Sequence, residues 1–207
     1  MKKRKYRIPD GYMPTIDEVN SHIAFRSSPE YIVGREKENA LVKLFEVLCP
    51  ENKDLNDILI KCSALNDFYS TNILDIHSVA HHIWELKIDE RLECGDYILV
   101  NEMAHVAVGK PGKPKISRFF YSFATKYCSH QLPKKYAIYD SYVEKILWDF
   151  QKRDRFSHFK VSDLKDYPTF MSVIQEFQKF YGLEQFNVKQ LDQYLWQIGK
   201  KYFAKYR

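Results

Sequence analysis

Apolar residues recur every three to four positions along most of this chain, the spacing that gives a helix one buried stripe. Thr15-Ile16-Asp17-Glu18 has the form of a capping box and predicts a helix over about 16–25, stopped by Ser27-Ser28-Pro29. Ala40, Leu41, Leu44 and Val47 or Leu48 carry a second helix over about 36–48, broken by Pro50-Glu51-Asn52. Leu55, Ile58, Leu59, Cys62 and Leu65 carry a third over about 55–68, and Ile76, Val79, Ala80 and Ile83 a fourth over about 73–86. Residues 96–108 are apolar without a clear period, so helix and strand both fit. A Gly/Pro/Lys loop follows at 109–114, then a helix over 119–129 with Phe119, Phe120, Phe123, Ala124 and Tyr127 on one face. Beyond a loop at 131–135, Val143, Ile146, Leu147 and Phe150 define a helix reaching about Gln151. Residues 153–165 are polar and irregular. Phe170, Val173, Ile174, Phe177 and Tyr181 give a helix over 169–181, with Gly182 as its C-cap. Asn187-Val188-Lys189-Gln190 is a second capping-box start, ahead of a stripe of Val188, Leu191, Leu195, Ile198 and Tyr202.

Eight or nine helices with short connections, no internal repeat and no clear linker point to an all-α fold. The expected organisation is a basic flexible arm over 1–13 and a single all-α domain over 14–207, or two helical lobes with a cleft near 109–140.

Composition narrows this picture. The 207 residues are enough to bury a sizeable core, and seven glycines and eight prolines suit long helices better than a turn-rich β fold. The net charge of +5 is unevenly placed. Residues 1–7 carry five basic groups and no acid, so residues 8–207 balance at 27 basic against 27 acidic. The body is therefore not the uniformly basic surface of a DNA-coating protein, while local clusters can meet phosphates. Two such clusters are Lys110, Lys113, Lys115 and Arg118, and Lys200, Lys201, Lys205 and Arg207. Cys49, Cys62, Cys94 and Cys128 stand far apart with no CxxC, which gives no zinc ribbon or iron–sulfur loop. Scattered thiols, no apolar leader and no membrane-length apolar run predict a cytoplasmic protein without a membrane partner, a metal or another cofactor.

The segment Lys135–Leu147 carries the sharpest chemistry. Asp140 stands between an apolar approach (Ala137, Ile138, Tyr139) and an amphipathic helix. A carboxylate there either caps the helix or is held rigidly at the mouth of a cleft. The segment from Gly109 to Leu147 resembles the helix-hairpin-helix DNA glycosylase superfamily, in its endonuclease-III and adenine-glycosylase branch, which places an aspartate just before a helix. The resemblance implies DNA repair by hydrolysis of the N-glycosidic bond of a flipped base. Asp140 would be catalytic, stabilising the sugar cation. The family's phosphate-binding turn, of the type Pro-Gly-x-Gly, would fall at Lys110-Pro111-Gly112-Lys113-Pro114-Lys115, with Pro114 where the second glycine stands. Lys110, Gly112, Lys113, Lys115 and Arg118 would then bind DNA, a duplex with a modified or mismatched base. The position of the family's Schiff-base lysine is Ser122 here, which implies a monofunctional enzyme. Lys126, one turn on, would share its cleft. The family's iron–sulfur cysteines are absent.

Other groups have plainer readings. His77 and His81 stand at i, i+4 with Glu85 beyond, half a metal site or an exposed polar face. Asn66–Asn72 is a loop near a flipped base or a capped inter-helix turn. Tyr121, Tyr127, Tyr136, Tyr139 and Tyr142 stack on bases or fill the core. The C-terminal cluster clamps a phosphate backbone or complements a helix dipole. The alternative function is a non-catalytic helical protein, DNA-associated or built for protein interaction, with Asp140 only a cap.

Overall fold

The computed structural model describes residues 7–109 and 112–203. Among these residues ten α-helices follow in chain order: α1 (Ile16–Arg26), α2 (Ile32–Val42), α3 (Leu55–Phe68), α4 (Ile76–Leu86), α5 (Ile88–Glu93), α6 (Ile98–Ala104), α7 (Tyr121–Gln131), α8 (Ser141–Asp154), α9 (Tyr167–Tyr181) and α10 (Val188–Phe203). Between α6 and α7 lie two short strands, β1 (His105–Val108) and β2 (Ile116–Phe119). The protein is predominantly helical, and among the described residues this one antiparallel hairpin is the departure from an all-α chain. Among the described residues, no helix is long and apolar enough to cross a membrane.

The chain divides into two compact units. One takes the residues up to Ile32 and those from Tyr139 onward; the other is Val33–Ile138.

In the first unit α8 and α10 form the central pair. The α8 stripe Val143, Ile146, Leu147 and Phe150 is buried, as is the α10 stripe Leu191, Tyr194, Leu195 and Ile198. Gly199 lets the two helices approach: a Cβ there would lie 2.6 Å from the Tyr142 carbonyl oxygen and 2.9 Å from its carbon. Backbone atoms of α8 cannot swing aside, so Gly199→Ala should push the helices apart. The expected loss is about 2 kcal/mol, against the roughly 1 kcal/mol by which alanine favours a helix. Thermal melting checks this; an unchanged midpoint would show that the contact relaxes freely. Helix ends follow local chemistry. Thr15 Oγ1 accepts the Glu18 N–H at 3.2 Å, Asn187 and Gln190 exchange side-chain bonds to each other's N–H groups at 3.0 and 2.9 Å, and Gly182 closes α9 in the left-handed region at φ +66°.

The arm expected over 1–13 is docked from Arg7 on, and residues 1–6 lie outside the described residues. The N–H groups of Arg7 and Ile8 both donate to Oδ2 of buried Asp149, at 2.6 and 2.7 Å, and Arg153 donates to the Pro9 carbonyl at 2.8 Å. Ile8 is fully buried. Burial of one isoleucine and a charge-assisted pair of hydrogen bonds fixes a strap where charge alone suggested a free tail.

In the second unit α3 packs against α4, and Ile58, Cys62 and Leu65 of the one and Val79, Ala80 and Ile83 of the other are buried. Helix α7 is buried on nearly every side, including Thr125, Lys126, Ser129 and His130, so it is an inner helix and not the one-faced helix its aromatic spacing suggests. It begins at Tyr121, because Phe119 belongs to β2 and pairs with His105. The ambiguous run 96–108 resolves into both states: α6 and then β1.

Candidate functional site

The apolar approach to Asp140 is buried: Tyr136, Ala137, Ile138 and Tyr139 are all in the core. The chain leaves the second unit at Ile138 and resumes in the first at Tyr139. Tyr139 is fixed by its ring, 5.6 Å edge-on from Phe170, and by its hydroxyl, which donates to the Glu144 carboxylate. Burial and that carboxylate hold the phenol well above its ordinary titration range. Asp140 follows in extended conformation, φ −145° and ψ 176°, which is the N-cap geometry. Its Oδ1 alone accepts the N–H groups of Tyr142 at 2.8 Å and Val143 at 2.9 Å. Its Oδ2 has no hydrogen-bond partner among the described residues. One oxygen is thus anchored and the other is open on a half-buried, oriented carboxylate.

Ser122 and Lys126 lie on α7, in the second unit. They meet each other: Lys126 Nζ donates to the Ser122 hydroxyl at 2.5 Å and to its carbonyl at 3.3 Å. Lys126 is only 6 % exposed and lies 5.2 Å from the centre of the Tyr69 ring, so it is not the solvated lysine that a helix surface usually carries. Tyr69 in turn shares a hydrogen bond with His130 Nε2 at 2.8 Å.

The turn expected to bind phosphate joins two strands, not two helices. Val108 pairs with Ile116 and His105 with Phe119. The expected helix-hairpin-helix geometry is therefore corrected here to strand–turn–strand. Gly112 occupies the left-handed region at φ +73°, and Lys113, Lys115 and Arg118 are exposed; Lys110 and Pro111 lie outside the described residues. The hairpin is tied to α4 by Asp75. Its Oδ2 accepts the Gly109 N–H at 3.1 Å and the Ser78 hydroxyl at 2.7 Å, while Oδ1 caps α4 through the Ser78 N–H. The Ser78 bond, foremost, keeps this carboxyl below the ordinary carboxylate range. Between α4 and the hairpin runs a groove of about 870 Å³, lined by His77, His81, His82, Lys115 and Ile116. His81 pairs with Glu85 at 3.3 Å and His82 bonds the Glu102 carbonyl at 2.9 Å. No three His, Cys, Asp or Glu side chains among the described residues are grouped to hold a metal ion.

Of residues 66–72, Asn66, Asp67 and Phe68 end α3 and the turn that follows is closed by the Asn66 side chain. Asn66 bonds both the N–H and the carbonyl of Ile73, at 2.9 and 3.0 Å, and the Thr71 hydroxyl at 2.7 Å. Tyr121, Tyr127, Tyr136 and Tyr139 are core residues, and Tyr142 is half-buried.

The pattern reading did not single out Lys61. It is fully buried, and its ammonium donates to four neutral oxygens: the Cys49 and Glu51 carbonyls, Asn52 Oδ1 and Gln131 Oε1, at 3.1, 3.0, 2.6 and 3.2 Å. Asn52 also accepts the Tyr127 hydroxyl and donates twice to Asp89. Burial lowers the Lys61 ammonium to about 8, with Asp89 acting against it from one residue away. The signal was present in the chain: Lys61 stands at i+3 from Ile58 and i−4 from Leu65, inside the apolar stripe of α3.

A family model, HI_0787_N, described as an N-terminal domain, matches residues 18–135. It takes in Lys61, the hairpin and α7 and stops short of Asp140. A protein of Haemophilus influenzae named only "Uncharacterized protein" is 49% identical over 152 residues, which are 73% of this chain and 70% of the relative. No solved structure matches the chain.

Proposed function

For this chain, which belongs to the HI_0787_N family, we propose DNA binding with hydrolytic removal of a base, in the manner of a monofunctional DNA glycosylase. The observation that carries the reading is Asp140, anchored through Oδ1 with Oδ2 open. Breaking an N-glycosidic bond leaves positive charge on the sugar, and a carboxylate fixed beforehand stabilises it without reorganising. The base leaves with the electron pair of the broken bond, water bonds to the anomeric carbon, and the proton that this water sheds is balanced by the one the base gains, so the sugar keeps a hydroxyl. Ser122 has no amine, so no Schiff base forms with the sugar and the strand stays intact. Lys113, Lys115 and Arg118, exposed on a turn whose shape is set by Gly112, hold backbone phosphate by charge.

The test is a panel of duplexes, each carrying one modified or mismatched base, incubated with the protein and then treated with hot alkali. Strand breaks at the odd base are expected on one class of duplex. A uniformly negative panel with DNA binding intact would overturn the catalytic part.

A second reading is favoured by the other helix starts. Thr15, Asp54, Asp75 and Asp166 also cap helices with side-chain oxygens. On that pattern Asp140 is one cap among several, and the protein is a non-catalytic, DNA-associated helical module.

A further inference from the structure

We infer that the groove between α4 and the hairpin of the second unit is a binding site for single-stranded DNA, with bases stacked along α4 and phosphates held by the hairpin. The stacking wall is a row of rings. His77, His81 and Trp84 stand at i, i+4 and i+7 on one face of α4, while Val79, Ala80 and Ile83 are buried. The centres of the His77 and His81 rings are 6.2 Å apart, and those of His81 and Trp84 5.6 Å. His77 is exposed, the His81 side chain is 43 % exposed and Trp84 is 42 % exposed. The Trp84 Nε1–H donates to the Lys53 carbonyl at 3.0 Å, which fixes an indole that stands in solvent. Rings already held in a row lose little freedom when a ligand arrives.

The facing wall is cationic. Residues 112–119 hold Lys113, Lys115 and Arg118 and no acid. All three are exposed, and Lys115 lines the groove. Gly109 sets its place: the chain passes so close that a Cβ there would lie 3.3 Å from the Lys115 Cα. Asp75 ties Gly109 to the start of α4, so the two walls stand at a fixed separation. The carboxylates of the groove are already engaged. Asp75 accepts from the Gly109 N–H and from Ser78, and Glu85 lies 3.3 Å from His81 Nδ1.

The lining favours a single strand over a duplex. Leu74 is wholly exposed and Ile116 is 59 % exposed, and both line the groove. A duplex stacks its bases on one another and turns phosphates outward. It would use the lysines and leave the rings and these apolar groups bare. An unpaired strand has free base faces, and rings beside cations are the chemistry that holds it. The inference rests on the DNA-binding part of the proposed function and is independent of Asp140.

The test is fluorescence anisotropy with a labelled oligothymidine of about 12 nucleotides, within the range that one single-strand site covers, over a salt series. The parent should bind it at least about fivefold more tightly than an unmodified duplex of the same length. His77→Ala with His81→Ala, and separately Trp84→Ala, should each weaken that binding about tenfold, the scale of one lost stacking contact. His77→Phe with His81→Phe keeps the rings and should stay within about twofold of the parent. Lys115→Gln should flatten the salt dependence by about 0.7 in slope, the value of one phosphate contact on a single strand. These side chains are exposed, so thermal melting should match the parent throughout. If the alanine variants bind as the parent does, or the phenylalanine variant loses as much as its alanine counterpart, the α4 rings are not a stacking wall. A preference for the duplex, or for oligouridine of the same length, would overturn the choice of partner. The same proteins run on the panel of modified duplexes keep the two proposals apart. Base release without oligothymidine binding refutes only this inference. Ring-dependent oligothymidine binding without release on any duplex refutes only the catalytic reading.

Discussion

Asp140→Asn is expected to fold as the parent does and to lose base release by at least about a hundredfold, the scale on which removal of one preorganised electrostatic group slows a reaction. Asparagine caps a helix about as well as aspartate, because its amide oxygen accepts the same backbone N–H groups. The bonds from Tyr142 and Val143 fall on a single oxygen, Oδ1, so an amide oxygen in its place keeps both. What asparagine removes is the charge on Oδ2, the atom no neighbour occupies. Some stability goes with it, about 0.5 kcal/mol, from the lost interaction with the positive end of α8. Asp140→Ala removes the cap as well and should cost about 1 kcal/mol. The pair separates structure from chemistry. If Asp140 only caps α8, asparagine matches the parent in base release and is slightly less stable, and alanine is less stable still. If it acts on the sugar, both variants lose release alike while their stabilities differ. Urea unfolding alongside the alkali assay reads both quantities. Equal release by Asp140→Asn and the parent protein would remove the carboxylate from the mechanism.

The sequence pattern was most informative where structure is local. Thr15 and the Asn187–Gln190 exchange are caps written within four residues, and α1 and α10 start where those residues place them. Asp140 was legible for the same reason: an N-cap is a matter of one side chain and the next two N–H groups. The local reading stopped at places set by distant partners. Glu18 of the expected capping box turns away to the Tyr12 hydroxyl, because the strap delivers that ring. Phe119 reads as helix by spacing, yet the pairing of β2 with β1 draws it into a strand. The polar run 153–165 hides buried Phe156, Phe159 and Leu164, since three well-spaced apolar residues carry no recognisable period. Lys126 reads as a surface cation, but α7 is enclosed by its own unit and the ammonium is held by Ser122. Asp149 meets Arg7 across 142 residues, and Lys61 meets Gln131 across 70, separations that periodicity along a helix cannot report.

Lys61→Met is expected to destabilise the protein at pH 7 by on the order of 3 kcal/mol, and that difference should grow as the pH rises. The first part follows from hydrogen bonds. Methionine fills a similar volume, but it leaves the Cys49 and Glu51 carbonyls, Asn52 Oδ1 and Gln131 Oε1 without the donor they share. Buried acceptors stranded in this way cost about 1–3 kcal/mol each, less where a second donor remains, as the Tyr127 hydroxyl does for Asn52. The second part follows from proton linkage. Native Lys61 titrates at about 8, below the ordinary lysine value of 10.5. Between those values the unfolded chain binds the proton and the native protein has released it, so stability rises with pH across that window. The penalty for enclosing the charged form is fully present below about pH 8 and gone above the ordinary value. From pH 7 to pH 10 the parent should therefore gain about 2–3 kcal/mol relative to Lys61→Met. Raw stability of the parent does not show this alone. Burial holds the Cys62 thiol up at about 12 and raises Cys49 and Cys128. Unfolding frees these thiols to ionise, which lowers stability over the same range. The burial that dominates these thiols is common to both proteins and cancels in the difference; only the smaller pull of the Lys61 charge on Cys49 and Cys62 does not. Paired urea unfolding curves at pH 7 and pH 10 measure it, and a difference that stays constant with pH would mean that Lys61 keeps its proton as an ordinary lysine does.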